Sequence, residues 1–250
     1  MLKGIYSAAS GMMAEAVRTD VISNNLANVN TTGFKKDVAV EESFRDLLLH
    51  KIEGFEPSRA VGRIGTGVDI VEISPLMSNG IHRLTGNKLD VALEGDGFFV
   101  VDTAGGERYT RDGAFVLNNE GYLVNLNGDY ILGEQGRISI RPEQSASIDI
   151  GTDGVITAGG EVIDRLRVVN FADQNAVRKL GDSLWISEEQ PTAAAGTKVI
   201  QGSLEYSNVN AVSEMIDLIT ATRAYEMNQK MIQMQDATLD KAINEVGKPS

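Results

Sequence analysis

Apolar positions along the chain fall into three regimes, set by where Gly and Pro interrupt them. Residues 1–32 hold no Pro and only Gly4 and Gly11, and residues 203–246 hold neither. Both ends can therefore carry long helices, which these two residue types otherwise punctuate. At the N-terminus Leu2, Ile5, Ala9, Met12 and Ala16 follow 3/4 spacing, and Ile22, Leu26 and Val29 continue the stripe after a drift in phase. Asn28, Asn30, Thr31, Thr32 and Gly33 then compete for backbone hydrogen bonds or accept left-handed geometry, which predicts a helix end near Val29. The C-terminal segment is stronger. Met215, Leu218, Thr222, Tyr225, Gln229, Ile232, Asp236, Leu239, Ile243 and Val246 alternate in steps of three and four, the spacing of a coiled-coil seam. A second stripe, Val212, Ile216, Ile219, Met227, Met231 and Met234, makes this helix apolar over more than one neighbour's footprint. Its partners lie either in the core of one chain or in other subunits. Asn210 is placed to cap its start, with Glu214 and Asp217 near the positive end of the helix dipole and Lys241 near the negative end.

The middle reads differently. Residues 36–204 hold 22 of the 26 Gly and four of the five Pro. One short amphipathic helix is predicted at its start from Val40, Phe44, Leu47, Leu48 and Ile52, followed over residues 53–88 by an extended connector that can contribute isolated strands. From Leu89 onward short apolar runs, such as Phe98 to Val101, Ile138 to Ile140 and Leu166 to Val169, alternate with turn signals. Gly105-Gly106, Asp112-Gly113, Glu120-Gly121, Asn127-Gly128, Asp153-Gly154 and Gly159-Gly160 are the clearest. The expected fold class is α+β: paired terminal helices in a coiled coil around an inserted, mostly antiparallel β domain. The expected divisions are 1–34, 35–88, 89–204 and 205–250.

Charge and composition narrow the function. The formal net charge of −12 disfavours general affinity for nucleic-acid phosphate or anionic membrane. Residues 36–204 carry 16 basic and 26 acidic side chains, so most of the excess lies outside the terminal helices. The absence of Cys removes disulfides, zinc ribbons and thiol catalysis, and two His leave little for imidazole-based metal sites or triads. Ser7, Ser10, Gly4 and Gly11 make the start too weakly apolar for a cleaved secretory signal.

Catalytic templates fail one by one. Gly62, Gly65 and Gly67 lack the spacing of a phosphate loop. Asp149 and Asp153 resemble part of a calcium loop, but Gly151 and Gly160 stand where ligands belong, so a hairpin turn is expected. Glu94 and Asp96 are the best-placed carboxylate pair, in a stretch that reads as a solvated turn. His50 and His82 have no triad partner in view, and Asn228, Gln229, Gln233 and Gln235 read as the edges of a helix bundle. No catalytic, cofactor-binding or metal-ligating residues are expected. Two rivals of other classes are a β-rich periplasmic hydrolase using Glu94 and Asp96, and a secreted adhesin with a helical oligomerisation stalk.

The phrases NNLANVNTTGFK at 24–35, LDVALEGDGFFV at 89–100, RYTRDGAF at 108–115, GSLEYSNVNAV at 202–212 and RAYEMNQK at 223–230 resemble the bacterial flagellar rod and hook protein family. YILGEQGRI at 130–138, DRLRVVNF at 164–171 and KLGDSLW at 179–185 are most similar to proximal rod proteins, and GRIGTGV at 62–68 to distal rod proteins. The resemblance implies a non-enzymatic axial subunit of the basal body, crossing the periplasm as part of the rod. Its partners would be copies of itself, neighbouring rod proteins and the flagellar type III export apparatus that delivers it without a cleaved signal. Its terminal helices would form the assembly interface, for which the stripes nominate Ile5, Met12, Ala16, Leu26, Met215, Leu218, Tyr225, Ile232, Leu239 and Ile243.

Overall fold

A computed structural model describes residues 2–44, 47–51, 59–173, 176–194 and 196–246. The chain divides into two compact units, each assembled from segments distant in sequence.

The first unit comprises Met1–Leu26, Asp37–Ser74 and Asn210–Ser250. It holds the two long helices, α1 (Leu2–Ala27) and α2 (Ala211–Lys241), the latter followed by one π-helical turn over Ala242–Val246. The cap of α2 forms as its sequence dictates: the Asn210 side chain accepts hydrogen bonds from the backbone N–H groups of Val212 and Ser213. Glu214 stands in the first turn and Lys241 in the last, each matched to the local dipole.

The short helix predicted from Val40 to Ile52 is instead two strands, Asp37–Ser43 and Leu47–Lys51. Ile52 lies outside the described residues. Apolar steps of four and three over so few residues fit either period, and partner strands decide between them. Asp37–Ser43 pairs with Val68–Pro75, and Leu47–Lys51 with Arg59–Ile64. Along the first strand half-buried Asp37 and Ala39 alternate with exposed Val38 and Val40, a period of two. The Phe44 N–H donates to the Gly67 carbonyl at 3.0 Å where this pairing ends.

The second unit comprises Ala27–Lys36 and Pro75–Val209. Its centre is the strand Phe98–Thr103, buried on both faces over Phe98–Val101. Phe99 and Val101 point into one core with Leu93, Phe115, Ile131, Ile138 and Ile156. Phe98 and Val100 point into another with Tyr109, Val169, Phe171 and Trp185. This alternation is the strand's period of two, and it explains why the segment reads as an unbroken apolar run. Antiparallel neighbours Gly106–Thr110, Tyr130–Ile131 and Val168–Asn170 flank it. Asp149 and Asp153 border a turn between Ile148–Ile150 and Val155–Ala158, as their spacing predicts. No helix among the described residues is long and apolar enough to cross a membrane.

Candidate assembly surface and buried charge cluster

The two helices of the first unit meet at named points. A Cβ built on Gly4 would lie 2.5 Å from Gln235 Nε2, and one on Gly11 would lie 2.9 Å from Asn228 Nδ2. Each glycine therefore seats a partner amide, at a cost to α1 of about 1 kcal/mol in helix propensity relative to Ala. Asn25 Nδ2 donates to Glu214 Oε2 at 3.3 Å and to the Asp37 carbonyl at 2.8 Å, while its Oδ1 accepts from the Asp37 N–H at 2.8 Å. Asn25 and Glu214 are both buried. Ser10 Oγ, half-buried, accepts from the Val68 N–H at 3.3 Å and ties α1 to the strand that follows.

The less exposed face of α2 is rotated from the one its apolar residues suggest. The less exposed positions include Glu214, Leu218, Ala221, Asn228, Ile232, Gln235 and Leu239. Leu218, Ile232 and Leu239 are half-buried, but Met215, Thr222, Gln229 and Asp236 are exposed. Their roles pass to Glu214, Ala221, Asn228 and Gln235, one residue earlier in each case. Small and amide side chains fit opposite Gly4 and Gly11, whereas the larger apolar ones are left outside. Of the ten nominated interface residues, Ile5, Met12, Leu26, Leu218, Ile232 and Leu239 are partly buried by their own chain, and Ala16, Met215, Tyr225 and Ile243 are exposed.

The second stripe of α2 is uncovered throughout: Val212, Ile216, Ile219, Met227, Met231 and Met234 are each 48–68% exposed. Tyr6 and Met13 of α1 are more exposed still, at 72%. The stripe is interrupted only by exposed Arg223 between Ile219 and Met227, and exposed apolar patches of this kind are characteristic of interaction surfaces.

In the second unit the structure assembles a charge cluster that pattern reading misses. Lys35, Arg111 and Glu205 are buried to 1%, 4% and 2% exposure. Lys35 Nζ donates to Glu205 Oε1 at 2.5 Å and to the Ser78 carbonyl at 3.0 Å. Arg111 Nη1 donates to Glu205 Oε2 at 3.3 Å, and its Nη2 to the Gly95 carbonyl at 2.9 Å. The Gly80 N–H completes the carboxylate's shell at 2.8 Å. Burial by itself would raise the Glu205 carboxyl, but Lys35, Arg111 and the two hydrogen bonds together hold it below its ordinary value. For Lys35 burial wins over the attraction of Glu205, and its ammonium is held below the usual lysine range. Arg111 is lowered by burial in the same way.

Further contacts around the cluster hold residues 32–36 at every position. Thr32 Oγ1 donates to Asp112 at 2.7 Å, and the Gly33 N–H to the Glu205 carbonyl at 2.8 Å. Lys179 Nζ stands 4.0 Å from the centre of the Phe34 ring and donates to the Lys35 carbonyl at 2.6 Å. The Lys36 N–H donates to Asn208 Oδ1 at 2.7 Å. The sequence carries only an indirect signal of this cluster: GFK, TRDG and SLEYS, three of the phrases that bear the family resemblance, contribute one of its charged residues each.

Glu94 and Asp96 are exposed, so neither is the desolvated acid that a hydrolytic pair requires. His82 is half-buried beside the strand Ser203–Glu205. His50 lies in the strand Leu47–Lys51. Among the described residues, no three or more His, Asp or Glu are grouped to hold a metal ion.

Three family models match the chain. One described as flagella basal body rod protein covers residues 5–35, the flagellar hook protein FlgE/F/G D1 domain covers 92–158, and the flagellar basal body rod FlgEFG protein C-terminal region covers 200–245. The chain is 36% identical to the flagellar basal-body rod protein FlgG of Bacillus subtilis, over 98% of this chain and 99% of that protein. It is 37% identical to FlgG of Agrobacterium fabrum, over 94% and 96% of the two chains. It is 34% identical to the rod protein FlgF of Caulobacter vibrioides, over 99% of each.

Proposed function

The chain belongs to the flagellar basal-body rod protein family, and on that premise we propose that it is a structural axial subunit of the rod, self-assembling helically to carry torque from motor to hook. The observation that carries this reading is the uncovered apolar row on α2. One chain presents that row on one side, and a neighbour must cover it with a different surface. Heterologous contacts of this kind, repeated without closing a ring, generate a helical tube. Several modest interfaces per subunit then make the whole tight through multivalency.

Within each chain α1 and α2 pair as an antiparallel coiled coil. Support comes from the three contacts above: stepping seven residues from Gly4 to Gly11 steps seven back from Gln235 to Asn228. The next fourteen, to Asn25, are matched by fourteen back to Glu214. The exposed members of the nominated set, Ala16, Met215, Tyr225 and Ile243, remain for neighbouring copies and adjoining rod proteins. Delivery through the flagellar type III export apparatus belongs to the same reading.

The test substitutes Ile219→Asp and Met231→Asp, both exposed in the single chain, with Thr238→Asp as the matched control. The first two should abolish incorporation into rods and motility while leaving the fluorescence of Trp185 unchanged. Rods and motility equal to those of the control would refute the assignment of this face.

A further inference from the structure

We infer that the alignment of α1 with α2 is specified by polar and small residues rather than by the apolar ones, with Gly4, Gly11 and Asn25 reading Gln235, Asn228 and Glu214 as a three-point register code. The inference rests on the coiled-coil pairing proposed above and adds what selects its register.

Apolar side chains on α2 cannot make this selection. They form two stripes around the helix, so slipping by one heptad, or rotating to the other stripe, still buries methionine, leucine or isoleucine. The polar contacts do discriminate. A Cβ at position 4 or 11 would stand 2.5 Å from Gln235 Nε2 or 2.9 Å from Asn228 Nδ2, so these amides keep their places only opposite glycine. α1 (Leu2–Ala27) has two such residues, seven apart. A slip of one heptad toward the C-terminus of α2 sets Gly11 opposite Gln235 but faces Asn228 with Arg18, and it separates Asn25 from Glu214. Buried Asn25 would then lose one of the partners its amide nitrogen holds. Polar groups inside a helical seam set register in this manner, at some expense of stability. Gln235 Oε1 shows that expense: it is buried and accepts no hydrogen bond among the described residues. One register fixes which α1 side chains stand beside the exposed row of α2, and so what face each subunit offers the next.

The chain has no Cys, so paired cysteines report alignment cleanly in the full-length protein. Gly4→Cys with Gln235→Cys tests the observed register, and Gly4→Cys with Ala242→Cys tests a slip of one heptad. The in-register pair should cross-link intramolecularly at least roughly tenfold faster, because the slipped thiols start about 10 Å farther apart along the helix axis. In the background Gly11→Leu with Glu214→Leu the two rates should converge, while Glu214→Gln, which keeps an acceptor for Asn25, should preserve the difference. If the double background loses its helical circular dichroism, Glu214→Leu alone is read in the same way. An undiminished preference in the leucine backgrounds, or its equal loss in Glu214→Gln, overturns the register code while leaving the pairing intact. Cross-links only between copies, or none in either pair, overturn the pairing itself and the code with it.

Discussion

Replacing Glu205 with Gln should be among the most damaging near-isosteric changes available in the second unit. The substitution removes one negative charge from a site where Lys35 and Arg111 are both almost fully buried. The amide also cannot accept from Lys35, Arg111 and Gly80 at once without turning its NH2 group toward one of these donors. Removing one partner of a buried ionic cluster costs about 3–5 kcal/mol, since the remaining charges stay desolvated. For a domain of this size each kcal/mol lowers the midpoint by about 3 °C, so the melting temperature should fall by about 10–15 °C. The single Trp, Trp185, is buried to 1% exposure and packs 5.7 Å from the Phe98 ring, so its fluorescence reports this unit's unfolding directly. Glu134→Gln is the control, because its ion pair with Arg165 is roughly half exposed on both sides and such pairs contribute at most about 1 kcal/mol. Converting Lys35, Arg111 and Glu205 together to Met should recover most of the loss, as apolar replacements of whole buried clusters often do. A Glu205→Gln protein melting within about 2 °C of wild type would refute the reasoning, since that corresponds to less than 1 kcal/mol.

Three further outcomes follow from the same geometry. The folded-state pKa of Glu205 is depressed, so its contribution is fully present above its ordinary value of 4.5 and is lost as pH falls through the lower folded value. The gap in melting temperature between wild type and Glu205→Gln should therefore narrow from pH 5 downward, and a constant gap in calorimetry would contradict the assignment. Gly33 has φ of +67°, and a Cβ there would lie 2.5 Å from the Asp112 nitrogen and 2.6 Å from the Arg111 carbonyl carbon. Gly33→Ala should cost on the order of 2–4 kcal/mol in denaturant titration, from left-handed strain plus a backbone clash, and an unchanged midpoint would count against it. Limited proteolysis of the dilute full-length chain should trim the terminal helices, but mass spectrometry should find the resistant fragment keeping both Lys35 and Glu205. A stable product confined to 36–204 would show the cluster to be dispensable.

Features governed by neighbours along the chain are legible in the amino-acid sequence by itself. Helices form at both ends because long stretches lack Pro and nearly all Gly, and the Asn210 cap and the hairpin turns depend only on residues a few positions apart. The family is legible for a related reason, because its terminal phrases are local strings. Tertiary structure decides what those local signals leave degenerate. Residues 37–51 carry an apolar spacing compatible with helix or strand, and pairing with Val68–Pro75 and Arg59–Ile64 selects strands. Two apolar stripes on α2 offer two faces for burial, yet the less exposed positions include Glu214, Ala221, Asn228 and Gln235 between the leucines and isoleucine, with Gln235 and Asn228 against Gly4 and Gly11. Lys35, Arg111 and Glu205 read as three of many solvated charges, because burial of a charge depends on partners that only folding brings together from positions 35, 111 and 205. Local backbone preference is written residue by residue, whereas the partner of a side chain, and hence its burial, is a property of the packed chain.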